Sequence, residues 1–421
     1  MFKKSFNVIL ILLSGIVLGA LLLSLSYMLP TNIMRKNLEN SIPLFQNEGP
    51  YQHVIGSYEF SKLDNWTDCI MLGNAIYEGD EPIIEKAMKG YRLHKKNSLT
   101  KDSLIEDLSN SKNPELMPQA YERYWHGYLI ILKPLLLLFS YDALRALNSI
   151  AIPLILMAIA WLLYKNNLGR YIFSYLFSVI LINPFVISLS LQYSTIFYLF
   201  NIAMIFMLKF HKKINYIYFF LILGMLTSYF DFLTYPIATL GMCAILYLLL
   251  ERNNSLKENI ASIIKFSLLW GIGYAGMWMG KIAIGSLLLN ENLLETAFTK
   301  IQQRTSFEAL GSDITALTVL KYNFDIFINR PFVFVAFLGG LYLIYKIYRK
   351  KLKITKDLLK RAVAYLIVCM MPLAWYVVLS NHSAVHYWFT FRALVVFIFG
   401  ILCILTEFFN TSSYERIKNE K

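Results

Sequence analysis

Along most of the chain the apolar positions form nearly unbroken runs, and polar residues are pushed into short stretches between them. Runs near 20 residues, wound as helices, cross the roughly 30 Å hydrocarbon layer of a bilayer. They lack the period-two alternation of barrel strands, and backbone in lipid must satisfy its own hydrogen bonds. The pattern therefore predicts an all-α polytopic membrane protein. About 10 transmembrane helices are expected, at 7–29, 140–164, 170–188, 193–210, 214–230, 232–250, 261–289, 331–345, 362–380 and 391–409. The run at 126–139 is short, carries Lys133 and Pro134, and reads as an interfacial helix.

One long polar stretch breaks the pattern early. Residues 30–125 mix acids, bases and turn residues, yet hold too many Trp, Tyr, Ile and Leu for disorder. Helical spacing recurs at 82–94 and 101–108, so a small, mostly helical cap is expected. The run within 1–29 is too long for a secretory signal and reads as a retained anchor, with Lys3 and Lys4 at its start. The spans fill 140–409, interrupted by a second polar loop at 290–330, and 410–421 is a tail.

Charge orients this layout. The 421 residues carry 40 Lys and Arg against 27 Asp and Glu. In a soluble domain that excess would point to nucleic acid, but here the bases gather in short loops between apolar runs. Those loops hold Lys165 and Arg170, then Lys209, Lys212 and Lys213, then Arg252 and Lys257, then the dense stretch 346–361. The turns near Leu191 and Asp231 hold none. The positive-inside rule then sets both termini in the cytoplasm and the 30–125 cap outside it, in a multi-pass cell-membrane protein. No nucleic-acid partner is expected. Cys243, Cys369 and Cys403 lie in apolar runs and only Cys69 in the cap, so neither a disulfide framework nor a metal spacing exists. Usage rich in Lys, Asn and Ile suits an AT-rich bacterial genome.

Ionisable groups in or beside apolar spans are expensive, which makes them candidates for chemistry. Asp64 and Asp68, in Leu-Asp-Asn-Trp-Thr-Asp (63–68), are four apart and share a face if helical. Held close, two carboxylates repel, one pKa rises, and a proton acceptor results; otherwise they are caps or solvated acids. Arg123, His126 and Lys133 cluster where the cap meets the membrane again, and could grip a phosphate or serve as anchors. His382, His386 and Arg392 form a similar set in the last outer loop. The two histidines have zinc spacing without a zincin glutamate, so a divalent metal is unsupported and no cofactor is assigned. Asp231, a lone acid between two spans, joins Lys281, Trp66 and Trp125 as candidates for a substrate pocket. Lys281 is either the partner of Asp231 or a snorkelling lysine.

A first span, a long outer loop carrying acids, an interfacial helix and many short-looped spans together resemble the GT-C superfamily of polytopic glycosyltransferases. The resemblance is one of layout over the whole chain. It implies a catalytic acid in the first outer loop, carried by position onto Asp64 or Asp68. It also implies a polyprenyl-phosphate-linked sugar as donor, and Arg123, His126, His382 and Arg392 as phosphate or sugar contacts. Asp64 lies some 35 residues past the first span and no adjacent acidic pair is present, which departs from that superfamily. No Walker loop or dinucleotide glycine pattern occurs, in keeping with a donor that arrives in the bilayer. The expected activity is sugar transfer onto a cell-envelope glycan, lipid or protein acceptor. A lipid-linked polysaccharide polymerase or ligase, and a lipid-linked glycan flippase or transporter, are the alternatives.

Overall fold

The computed structural model describes residues 2–110, 112–328, 338–339, 341, 344–345, 348–349 and 355–419, with 2–4 and 410–419 as backbone alone. Most of it is helix. Among the described residues six helices are long and apolar enough to cross a membrane: α1 (Phe2–Ser26), α7 (Tyr141–Lys165), α9 (Leu191–Phe210), α12 (Leu256–Leu289), α15 (Lys356–Val378) and α17 (Leu394–Asn419). Three shorter apolar helices accompany them: α8 (Ile172–Leu181), α10 (Tyr216–Phe230) and α11 (Ile237–Leu250). These nine coincide with nine of the ten expected runs. Most of the remaining one, 331–345, lies outside the described residues, as does much of the basic stretch 346–354.

The boundaries differ where backbone chemistry intervenes. The run at 170–188 is not one helix. Pro184 disfavours helical backbone at Asn183, which turns left-handed (φ 60°) and caps a new short helix, Pro184–Ser188, through Val186 N–H. Non-helical backbone within this apolar run is tolerable because Val186, Ile187 and Ser188 are buried in protein. Helix α11 starts at Ile237 rather than near 232 because residues 231–236 form a turn ending in Pro236.

The bundle centres on α11, whose residues are buried on every face from Ile237 to Leu249. A helix apolar all round belongs at the middle of such a packing. Helices α9, α15 and α17 surround it. Beside this group α10 and α12 lie almost in backbone contact, since a Cβ on Gly224 would strike the Trp270 carbonyl and one on Gly273 the Leu221 carbonyl. Without a hydrophobic drive between helices in lipid, such close approach supplies the dispersion contacts that hold them. Gly273→Leu should lower stability by about 1–3 kcal/mol through overpacking. A thermal midpoint in detergent that does not move would show that the two helices can part freely.

The cap is helical in the main: α2 (Thr31–Glu39), α3 (Asn65–Ile76), α4 (Ile83–Lys89) and α5 (Thr100–Ser109). One expected helix, over 82–94, is cut short. Gly90 takes a left-handed conformation (φ 57°) that ends α4, and the chain continues as strand β1 (Arg92–Lys95). It pairs antiparallel with β2 (Leu116–Gln119), Arg92 opposite Gln119. Within the run 126–139, expected to be interfacial, the chain forms helix α6 (Leu129–Leu136). Three long side chains reach backbone carbonyls across these seams, one joining this helix to the cap and two joining the cap to the bundle. Lys133 Nζ donates to Ala75 O, Lys281 Nζ to Met88 O, and Trp125 Nε1 to Met277 O at 2.7 Å. One apolar core therefore runs from α1 through the cap into α6 and α7.

Residues 290–328, most of the second polar loop, are also structured. They hold α13 (Leu293–Thr305), a two-stranded turn pairing β3 (Glu308–Ala309) with β4 (Ser312–Asp313), α14 (Ala316–Asp325) and a short helical turn at Ile326–Ile328. Helix α13 is amphipathic, seating Leu293 and Ala297 inward.

Candidate functional site

At the cap end of the bundle a single carboxylate is held in a turn made by its own neighbours. Helix α10 stops at Phe230, and the Asp231 carboxylate accepts the Thr234 backbone N–H at 3.0 and 3.1 Å and the Thr234 hydroxyl. This is the local fold that Asp favours in turns. Inside it Leu233 sits at φ 65°, a conformation costly for a branched residue. Burial pushes the Asp231 carboxyl up to about 7 against the lowering effect of the Thr234 hydrogen bonds.

Asp231 lines a cavity of about 340 Å³ together with Arg123, Lys300 and Arg304. One acid and three cations thus share one hollow, walled by Tyr124, Tyr274, Trp278 and Trp375. The cations come from two places. Arg123 belongs to the end of the cap, where its carbonyl accepts Trp278 Nε1 at 3.0 Å and its guanidinium stacks 4.9 Å from the Tyr121 ring. Lys300 and Arg304 are four apart on α13, so one face of that helix presents both. The rim is apolar: Met279 is 60% exposed on α12, and Ile301 42% exposed on α13.

The two histidines of the last loop support this hollow. His382 Nε2 lies 2.7 Å from Leu233 O and so donates to the turn that holds Asp231. His386 Nε2 lies 3.3 Å from Arg304 Nη1 and, because a guanidinium only donates, must accept. Burial and the Arg304 charge push the His386 pKa down to about 3, which keeps that acceptor free of a proton.

Asp64 and Asp68 diverge. Asp64 caps α3, accepting Thr67 N–H at 3.0 Å and the Thr67 hydroxyl at 3.1 Å. Burial and the neighbouring Asp68 charge raise its pKa to about 7, and Arg392 opposes the shift. Arg392 is fully buried, lies 4.0 Å from the Tyr193 ring, and donates to Trp388 O at 3.0 Å. Asp68 is enclosed by donors: Tyr141 hydroxyl at 2.6 Å, Ser190 hydroxyl at 3.2 Å, Leu191 N–H at 2.9 Å and Gln192 N–H at 3.0 Å. It therefore caps α9 from outside that helix.

The other candidates are spread through the cap and its seams. Trp66 is half-buried beside Asp64. His126, in a left-handed conformation (φ 53°), sets Nε2 2.6 Å from Tyr121 O, and burial holds its pKa near 3. Lys133, Lys281 and Trp125 are engaged with backbone carbonyls as described above. Of the twelve residues singled out by sequence, Asp231 and Arg123 line the cavity and His382 and His386 brace it. Sequence reasoning passed over Lys300 and the aromatic wall. The i,i+4 spacing of Lys300 and Arg304 was the available signal, concealed by a loop that looked merely polar. Among the described residues no group of three or more His, Cys, Asp or Glu is placed to hold a metal ion.

Comparisons with known protein families, with curated proteins and with solved structures return no significant match.

Proposed function

We propose that this chain is a GT-C-like membrane glycosyltransferase that moves a sugar from a polyprenyl-phosphate carrier to a hydroxyl acceptor on the extracytoplasmic face. The observation that carries the reading is the convergence of Asp231 with Arg123, Lys300 and Arg304 in one cavity with an apolar rim. Three cations suit a lipid-linked phosphate, and the exposed apolar faces of α12 and α13 suit its hydrocarbon chain. The aromatic walls suit a sugar ring. The acceptor oxygen would bond to the sugar's anomeric carbon as the bond from that carbon to the phosphate oxygen breaks. Asp231 takes the acceptor proton, and polyprenyl phosphate leaves with the electron pair, its charge held by Arg123, Lys300 and Arg304.

The sidedness rests on charge. Lys165, Arg170, Lys209, Lys212, Arg252 and Lys257 all lie at the end of the bundle away from the cap, where the positive-inside rule puts the cytoplasm. In this reading the shorter helices α8, α10 and α11 also cross, and with 331–345 they complete ten spans. The donor then meets the cavity where nucleotide sugars are scarce.

The test uses the full chain in nanodiscs with a panel of radiolabelled polyprenyl-phosphate hexoses, scoring released polyprenyl phosphate and labelled product. Arg123→Gln and Lys300→Gln should each raise the donor KM about tenfold, the loss of one charge-assisted contact. Unchanged donor kinetics in both variants would remove the phosphate from this cavity. Single additions mark a transferase and long chains a polymerase; transport of labelled lipid without product would make the protein a flippase.

A further inference from the structure

At the opposite end of the bundle a second cavity, of about 550 Å³, opens between the starts of α12 and α15. Arg252, Lys257, Lys360 and Arg361 line it against one carboxylate, Asp357. Behind them Glu407 of α17 is buried, paired with Arg252 and 3.8 Å from Arg361. That acid draws the two guanidinium groups together without using them up. Among the described residues the buried Nε atoms of both Arg252 and Arg361 have no hydrogen-bond partner. Asn259, 5% exposed, also lines the cavity. Buried donors without partners are costly and usually mark a ligand or water position.

The surroundings narrow the ligand. Helices α12 and α15 run away from the cavity with exposed apolar side chains on each: Ile264 and Leu268 on one, Leu359, Val363 and Leu366 on the other. A hydrocarbon chain can lie along these faces while its head enters the polar end. Paired arginines with flanking lysines are the donor set that fits phosphate oxygens.

We propose that this cavity binds a phosphate-bearing anion, with an anionic phospholipid headgroup as the favoured source and a soluble phosphate compound as the other. Bound there, the phosphate bridges the loop before α12 to the first two turns of α15. The site is independent of the cavity that holds Asp231.

The experiment places the full chain in phosphatidylcholine nanodiscs doped with phosphatidylglycerol and counts retained anionic lipid by native mass spectrometry. The exposed Lys360 is changed together with Lys257 as K257Q/K360Q, leaving the Glu407 pairs intact. K209Q/K212Q, with both lysines exposed at the same end but outside the cavity, serves as the matched loss of charge. The cavity variant should retain about tenfold less anionic lipid and the matched variant nearly as much as the parent. In pure phosphatidylcholine, thermal stabilisation by inorganic pyrophosphate that K257Q/K360Q abolishes would support the site and assign it to a soluble phosphate. Equal loss in the two variants would mean diffuse surface attraction and overturn the site. Lack of loss in the cavity variant, without a pyrophosphate effect, would also overturn it.

Discussion

Asp231→Asn should reduce turnover about 10³-fold, with the thermal midpoint nearly unchanged. The amide keeps an oxygen for the Thr234 N–H, so the turn survives while the proposed proton acceptor is lost. The pH profile separates this role from a structural one. With its pKa near 7, Asp231 is protonated below that pH and cannot take the acceptor hydroxyl's proton. Turnover in the parent should therefore rise with pH through about 7, falling away on the acid side, and the residual rate of D231N should lack that limb. Asp64→Asn is the necessary companion, because the Asp64 pKa is also raised to about 7 and its carboxylate lies outside the Asp231 cavity. D64N should cost no more than about 2 kcal/mol of stability as a modified helix cap and leave the acid limb in place. Loss of the limb in D64N and its survival in D231N would move the base to Asp64 and leave the cavity as a binding site alone.

What could be read in advance follows from how local each signal is. A run of apolar residues carries its own helix and its own burial, so nine runs could be placed from one dimension. Their breaks at Asn183 and at 231–236 depend on backbone preferences of single residues, which a hydropathy pattern averages away. Side-chain partners are less local still. Lys281 had two expected fates from its depth in the sequence, pairing with Asp231 or reaching water. It takes a third, the Met88 carbonyl, supplied by a cap segment nearly two hundred residues earlier. Arg304 meets His386 only because α13 folds over the last loop, a contact that spacing cannot encode. The cavity as a unit was illegible for this reason, although several of its members were nameable by charge alone.

The spacing of Asp64 and Asp68 was legible, yet the same four-residue interval serves two helices, and this gives the second large expectation. Asp68→Ala should cost about 3–5 kcal/mol, the range for leaving a buried polar network without one of its members. The substitution orphans the Tyr141 and Ser190 hydroxyls and strips the first amides of α9 of their cap. Tyr141 in turn carries Arg145, whose guanidinium lies 4.6 Å from its ring and binds Glu48 at 2.8 Å and Asn65 at 2.8 Å. Loosening Asp68 therefore loosens the joint between α3, α7 and α9. Asp68→Asn retains acceptor oxygen for part of this set and should lose roughly half as much. Both variants should show a lower midpoint in detergent, and turnover per folded molecule close to that of the parent. That is the reverse of the pattern for D231N, where the midpoint stays and turnover goes. An Asp68→Ala protein that melts with the parent but no longer releases polyprenyl phosphate would place Asp68 in the reaction, and the joint would have to be held by something other than its carboxylate.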